Sequence, residues 1–518
     1  MVAPASLYAM NTAALLHNAA RVFGDRPAIS IGDQLTHSYA QLQLRSVRLA
    51  AGLRTRLNLD PGDRVALVMS NRPVYLEVLF AIWHAGLAAV PVNSKLHARE
   101  VAYILDDCQA SVCFVTDDHA ETVARAAADA SCVRHVCSVD GADYEGLMAE
   151  PRRQAVRARD DLAWLFYTSG TTGKPKGAML SHLNLQLMAW SYLCDFDLLT
   201  EKDSILHLGP QSHAAGLLAL AHIAKASHHL LPASGGFEPG EIADVINRAE
   251  SVTFFAAPTM LRRLVENPQV QNCRVEHVRS ILGGAAPFYA DDVRQGLATF
   301  GLRFTNGYGQ GECPCTITAM PKHLYSTTLD DVLLASVGIA RTGVEVRVVD
   351  AQDRDLRAGE VGEILVRSDI VMTGYWHNAK ATQQALAGGW LHTGDLGAMN
   401  ERGFLTLMDR SKDLIISGGS NIYPREVEEV LLLHPEVAEA AVIGEPDVEW
   451  GESVVAVIVA RPGQKLSARE LDGLCLDNLA RFKRPKRYVF LADLPRNNTG
   501  KVLKRELREM IARDRRST

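Results

Sequence analysis

A short apolar run, LAWLF at 162–166, leads directly into YTSGTTGKPKG at 167–177. The run has the length and composition of a buried strand, and the glycines and proline that follow cannot continue it. Any fold for this chain must end a strand here and present a loop. Eleven residues hold three glycines, four serine or threonine hydroxyls and two lysines. Glycines let backbone N–H groups approach an anion, hydroxyls add donors, and lysines add charge. The spacing is not that of a Walker loop: two residues separate Gly170 from Gly173, and Pro175 follows Lys174. Read alone, the stretch fits a phosphate cradle and a Gly/Thr-rich surface turn equally.

The chain of 518 residues is too long for one ordinary core, which predicts more than one domain. Apolar residues at 47% and charged residues at 22% are those of a soluble globular protein. A net charge of -6 argues against a general nucleic-acid or anionic-membrane binder. Nine cysteines contain no C-x-x-C pair, which disfavours a disulfide framework or zinc site and points to a reducing, cytoplasmic setting. The opening residues show no signal-peptide pattern. The longest apolar region, 216–231, carries Lys225 and three histidines, whereas a membrane-spanning helix needs about 20 mostly apolar residues. No integral membrane segment is expected.

Residues 12–24 read as an amphipathic helix with Asn11 and Thr12 as caps. Strand-like runs at 64–70 and 110–116 alternate with helical segments at 73–86, after 100, and at 120–131, the pattern of α/β layers. After about 335 the texture changes to short alternating strands at 345–350, 362–368 and 403–410. A helix at 424–434 follows, with Pro424 suited to its first turn, then two strands and a helix opened by Ser467. A boundary near 409–413 sets off a final α+β unit.

The string YTSGTTGKPKG resembles the phosphate-binding signature of the adenylate-forming superfamily, which holds acyl-CoA synthetases, luciferases and adenylation domains. By that resemblance Thr168, Ser169, Gly170, Thr171, Thr172, Gly173, Lys174 and Lys176 would bind ATP phosphates. NGYGQGE at 306–312 is similar to a second signature, with Asn306, Gly307, Tyr308 and Gly309 at the nucleotide and Tyr308 stacked on adenine. Glu312 would hold Mg²⁺, a hard cation suited to a carboxylate. The family's usual threonine before this glutamate is Gly311 here. GGAAP at 283–287 resembles the loop lining the adenine and acyl pocket, with Gly284 and Ala285 toward the nucleotide and Gly283 and Ala286 toward the acyl group. GPQSHAAG places His213 beside the acyl group. LHTGD and DRSKD put Asp395 and Arg410 on the ribose and Lys412 at a hinge. Ser417, Gly418 and Gly419 would contact coenzyme A, and LPRNNTGKVLKREL makes Lys501 the catalytic lysine.

The resemblance covers essentially the whole chain. It implies an α/β fold: a large N-terminal domain of layered α/β subdomains with a β-barrel-like part (1–409), a hinge (410–412), and a small mobile α+β C-terminal domain (413–518). It implies an ATP-dependent carboxylic acid:CoA ligase that forms an acyl-adenylate and pyrophosphate, then acyl-CoA and AMP. An adenylation enzyme loading a carrier-protein thiol is the alternative, and a luciferase-type oxygenase or a non-catalytic nucleotide sensor are more distant ones. The expected partners are a small-molecule acid, ATP and CoA, with no nucleic acid, and a homodimer is compatible with this reading. Small residues around 214–221 and 283–287 would leave room for an aromatic or medium-chain acid. The basic run RFKRPKR at 481–487 fits either a solvated face or a contact to the CoA 3′-phosphate or the facing domain.

Overall fold

A computed structural model describes residues 10–168, 174–326, 329–410, 413–417, 420–448, 450–464, 466–496 and 501–517. Six strands form one sheet in the order His135–Ser138, Val112–Val115, Arg64–Val68, Ala88–Pro91, Leu162–Thr168 and Lys176–Ser181. The first five are parallel and the last returns antiparallel. Val65, Ala66, Leu67 and Val68 are all buried, because helices cover both faces of a parallel sheet and no side of the strand meets water. The LAWLF run is therefore a strand, and it pairs antiparallel with Lys176–Ser181 before any helix begins. The next helix, His182–Asp195, begins only after the second hairpin strand, with Ser181 and Asn184 forming its capping box. That connection explains why Walker spacing is absent.

A second sheet has nine strands, ordered Ile339–Ala340, Cys313–Ala319, Phe304–Gln310, Val278–Gly283, Val252–Ala256, Ser204–Leu206, His228–Leu231, Pro27–Ile31 and Gln34–Ser38. Its centre is parallel and its margins are antiparallel hairpins. NGYGQGE lies where Phe304–Gln310 turns back into Cys313–Ala319, so it is a hairpin end and not a dinucleotide loop. The long apolar region at 216–231 divides into helix Ala214–Ala224 and strand His228–Leu231. Among the described residues no helix is long and apolar enough to cross a membrane.

A curled four-stranded antiparallel sheet follows: Glu345–Val349, Val361–Arg367, Leu391–Met399 and Leu405–Arg410. It is the barrel-like part expected from the resemblance.

The last sheet pairs Ser420–Ile422, Ile415–Ser417, Gly451–Ala460 and Val437–Asp447 in that order, with Arg487–Phe490 parallel to Gly451–Ala460. Its two long strands alternate between two small cores. Val442, Val454, Ala456 and Ile458 pack with Leu471 and Cys475, while Ala441, Ile443, Val455 and Val457 pack with Leu507 and Ile511. The C-terminal helix Lys504–Ser517 thus seals the second face, as its amphipathic pattern allows. Pro424 opens helix Pro424–Leu432 and Ser467 caps Ala468–Asn478 as expected.

One expectation is corrected. Of the two caps expected for helix Ala14–Phe23, Asn11 accepts the Ala13 N–H on its Oδ1 at 2.9 Å, whereas Thr12 turns its hydroxyl away from the helix. Asn11 donates to the carbonyls of Trp83 and Ala155, and the Thr12 hydroxyl meets His182 Nδ1 at 2.9 Å. Both polar side chains also tie the N-terminal segment to the core.

Candidate active site

Tyr308 stands on strand Phe304–Gln310, and Asp395 on Leu391–Met399 of the curled sheet. The Tyr308 hydroxyl donates to Asp395 Oδ2 at 2.7 Å. Gln310, two residues along the same strand face, donates from Nε2 to the same oxygen and to the Thr393 carbonyl. Asp395 is directly opposite Arg410 in the register of the antiparallel pair. Residues from three separate signatures therefore meet where the nine-stranded and curled sheets touch. An ionised carboxylate has acceptor sites for several donors, a diol among them. Gln310 carries no motif role in the sequence and becomes visible only through this contact.

Glu312 is nearly buried, 9% exposed. Its Oε1 accepts from the Thr168 hydroxyl at 3.0 Å and from the Tyr375 hydroxyl at 2.8 Å. The Lys176 ammonium lies over the Tyr375 ring at 5.1 Å, and Lys174 over the Tyr103 ring at 5.3 Å. Thr168, Lys176 and Glu312 thus converge through a tyrosine that sequence motifs did not single out. Tyr375 reaches the loop because Ala178 bridges Tyr375 and the Trp376 N–H donates to the Gly177 carbonyl. A 220 Å³ cavity beside it is lined by Tyr103, Asp107, Lys174, Lys176, Trp376 and Asn378.

Gly311 has a steric cause. A Cβ there would stand 2.5 Å from Thr168 Cγ2 and 2.6 Å from Phe166 Cδ1. The Phe166 ring is itself held between Trp164 at 6.5 Å and His213 at 4.8 Å. The hydroxyl missing at 311 has a counterpart in Thr168, which occupies the space and donates to Glu312.

On the acyl side, Ala285 adopts φ +68°, a left-handed backbone that a residue with a side chain takes at a cost. Gly284 lies against Phe255, whose ring would be 3.1 Å from a Cβ at that position. Gly283 is enclosed by Phe304 and Phe288, so core packing alone requires that glycine, while exposed Gly309 lies against the backbone of Cys313–Thr316. Asn306 is buried and donates to the Ser336 carbonyl at 3.1 Å. Its side chain is committed to the fold, and any contact to a nucleotide would come from its neighbours. Ala286 is partly exposed in the same loop, and His213 is accessible yet closely surrounded, as a side chain lining a cleft is. That enclosure lowers the His213 pKa to about 4, so its imidazole is neutral.

In the C-terminal part, Ser417 ends strand Ile415–Ser417 and pairs with Ser420 and Gly451. Lys501 immediately precedes Val502, which bridges to Arg496, and helix Lys504–Ser517 begins three residues after it. Arg425 is 3% exposed and donates to the carbonyls of Leu407 and Phe288 at 2.7 and 3.0 Å, and to that of Ala335. The Tyr289 hydroxyl donates to Glu428, which also meets Lys504 at 3.0 Å. Ser169, Gly170, Thr171, Thr172, Gly173, Lys412, Gly418 and Gly419 lie outside the described residues, as does the side chain of Arg410.

Residues 16–376 match the family described as AMP-binding enzyme, and residues 426–501 match the AMP-binding enzyme C-terminal domain. The chain belongs to the AMP-binding enzyme family. A feruloyl-CoA synthase of an Amycolatopsis species is 37% identical over 91% of this AMP-binding enzyme and 93% of its own length. A fatty acid–[acyl-carrier-protein] ligase, ScoC, of Streptomyces coeruleorubidus is 34% identical over 92% and 91% of the two chains. The structure of ATP-bound MatB from Rhodopseudomonas palustris superposes with a TM-score of 0.86 at 32% identity, covering 97% of this chain and 99% of that one. AMP-binding enzymes of this set share the large N-terminal and small C-terminal parts seen here.

Proposed function

We propose that this enzyme joins a small carboxylic acid to coenzyme A at the expense of ATP, through an acyl-adenylate. The observation that carries the reading is the joining of Tyr308, Gln310 and Asp395 by hydrogen bonds, with Glu312 at the end of the same hairpin. In this reading Asp395 would accept the ribose hydroxyls, Tyr308 would offer its ring to adenine and Glu312 would face the phosphates. The CoA-ligase relatives, aligned over nearly their full lengths, support the same reaction.

A carboxylate is a poor acyl donor because its leaving group would be oxide. Attack of the acid on the α-phosphorus of ATP, with departure of pyrophosphate, converts it into an adenylate. Lys174 and Lys176 would neutralise the departing phosphates, and Lys501 would bridge the carboxylate and α-phosphate, which otherwise repel. No protein nucleophile is required, and the chemistry is positioning plus electrostatics. A thiol then attacks the adenylate carbonyl and AMP leaves.

Glu312 fits Mg²⁺. The two hydroxyls both donate to Oε1 and, among the described residues, neither bonds to Oε2, which is a hard oxygen donor at the phosphate loop. The cation would supply charge neutralisation on the phosphates. We further propose that 1–409 and 413–518 act as separate bodies about a hinge at 410–412, with Ser417, Gly418 and Gly419 meeting CoA after rotation. Nine free thiols suit a reducing cytoplasm.

The test is stepwise. Pyrophosphate release should depend on an acid and Mg·ATP, and acyl-CoA should appear only when CoA is added. Transfer to a carrier protein in preference to CoA would overturn this reading in favour of the carrier-loading one.

A further inference from the structure

Beneath the acyl side of the site lies a polar cluster that the reaction above does not use. His207 Nε2 and His229 Nδ1 share a 3.0 Å hydrogen bond, with their rings stacked at 5.3 Å. The His222 ring stands edge-on to His229 at 6.3 Å and to Tyr192 at 5.7 Å. Thr253 lies beside Tyr192 without hydrogen-bond geometry between them. All five side chains are fully enclosed. Yet among the described residues His207 Nδ1, both nitrogens of His222, His229 Nε2, the Tyr192 hydroxyl and the Thr253 hydroxyl have no hydrogen-bond partner. A buried polar atom without a partner is costly and rare, and six together call for a common guest.

The strands place this cluster with respect to the site. Thr253 and Phe255 point to the same face of Val252–Ala256, about 7 Å apart along the strand. Phe255 lies against Gly284 and Gly209, the loops expected around the acyl group. Thr253, Ile205 and His229 share one row across the sheet, and His207 follows on the same face. Phe196 closes the other side, 5.3 Å from Tyr192 and 3.6 Å from the Cβ position of Gly307. The orphaned atoms therefore begin about one aromatic ring below the loops that would hold the reacting carboxylate.

The chemistry of the guest follows from the groups. The histidines are held neutral by burial, so each offers one donor and one acceptor. No charged side chain belongs to the cluster: Asp203 and Arg279 beside it are engaged with each other, and Asp197 and Arg341, which face Tyr192, are paired with Lys322 and Asp195. An ionised group has no counter-charge there, and among the described residues no set of side chains could hold a metal ion. A purely apolar tail would leave all six atoms unpaired.

We propose that this cluster is the far end of the acid pocket and selects an acid bearing a neutral oxygen, hydroxyl or carbonyl, about one aromatic ring from the carboxyl-bearing end. The inference rests on the ligase reading above. Tyr192 and His222 make the hydrogen bonds to that oxygen.

Matched acids test it: benzoate against 4-hydroxybenzoate, and cinnamate against 4-hydroxycinnamate, with octanoate as an apolar probe, all followed by pyrophosphate release. The hydroxylated member of at least one pair should show a kcat/KM at least tenfold higher, and octanoate should be poor. Tyr192→Phe, which removes only the hydroxyl, and His222→Leu should each shrink that ratio to under threefold by lowering the hydroxylated acid's value. Equal values within both pairs for the unaltered enzyme, or an unchanged ratio in both variants, overturns the proposal while leaving a ligase. Absence of pyrophosphate release with every acid overturns the ligase reading itself.

Discussion

The Phe166 ring occupies the space that a side chain on residue 311 would need: a Cβ on Gly311 would come within 2.6 Å of it. Phe166 cannot retreat, since Trp164 and His213 flank it. Restoring the family's threonine by Gly311→Thr should therefore lose activity, with a stability cost of about 1–3 kcal/mol for overpacking. Adding Phe166→Ala should recover part of both. Melting temperature and pyrophosphate release across the double-mutant cycle check this, and additive losses would contradict it.

Tyr375 donates to Glu312 Oε1 beneath the Lys176 ammonium. Tyr375→Phe removes that bond and keeps the ring. A hydrogen bond to a charged group contributes about 1.5–3 kcal/mol, so adenylation should fall about 10- to 100-fold. The Mg²⁺ concentration for half-maximal rate should rise, and Mg·ATP binding by calorimetry should weaken. Unaltered binding would leave Tyr375 a packing residue only.

Lys501→Ala should abolish adenylation yet spare conversion of a pre-formed acyl-adenylate into acyl-CoA. The lysine's charge is needed while two anions approach, and not while a neutral carbonyl meets a thiol. Equal loss of both half-reactions would refute the assigned role.

Arg425 and the Tyr289–Glu428 pair clasp the C-terminal part against the large one. Arg425→Ala leaves the carbonyls of Leu407 and Phe288 without that donor. If the two parts alternate, the variant should change the ratio of adenylation to thioester-formation rates by at least fivefold. Both rates are read in separate half-reaction assays, and an unchanged ratio would make the clasp a static contact.

Burial lowers the pKa of His182 to about 3, of His207 to about 4 and of His222 to about 3. In the unfolded chain these groups titrate near 6.5, so below that pH it binds more protons than the folded one. Stability is then full above about pH 6.5 and is lost as pH falls toward 4. Each histidine contributes up to about 1.4 kcal/mol per pH unit in that window. Melting temperature should fall between pH 7 and 5, and less steeply in His222→Leu. A flat profile would contradict the buried, neutral assignment.

The strand that ends at the glycine-rich loop, the helix cap at Ser467 and the change of texture after residue 335 were legible because each is a local matter. Turn chemistry, side-chain periodicity and capping act over fewer than about ten residues, and a linear string records them. Even the strand nature of LAWLF followed from its neighbours alone.

Gln310, Tyr375 and the reason for Gly311 were not legible, since each depends on chain segments far apart. Tyr375 meets Glu312 across 63 positions, and Gln310 meets Asp395 across 85. The histidine cluster is a sharper case: His229 lies on a strand, His207 directly follows the strand paired with it, and His222 comes from the helix between them. Its unpaired atoms exist only because the sheet and its covering helices exclude water there. Local rules determined which residues form strands, turns and helices. Only tertiary packing decided which side chains share a site and which polar groups are left to be satisfied by a guest, because burial and hydrogen-bond partnership are properties of the assembled layers.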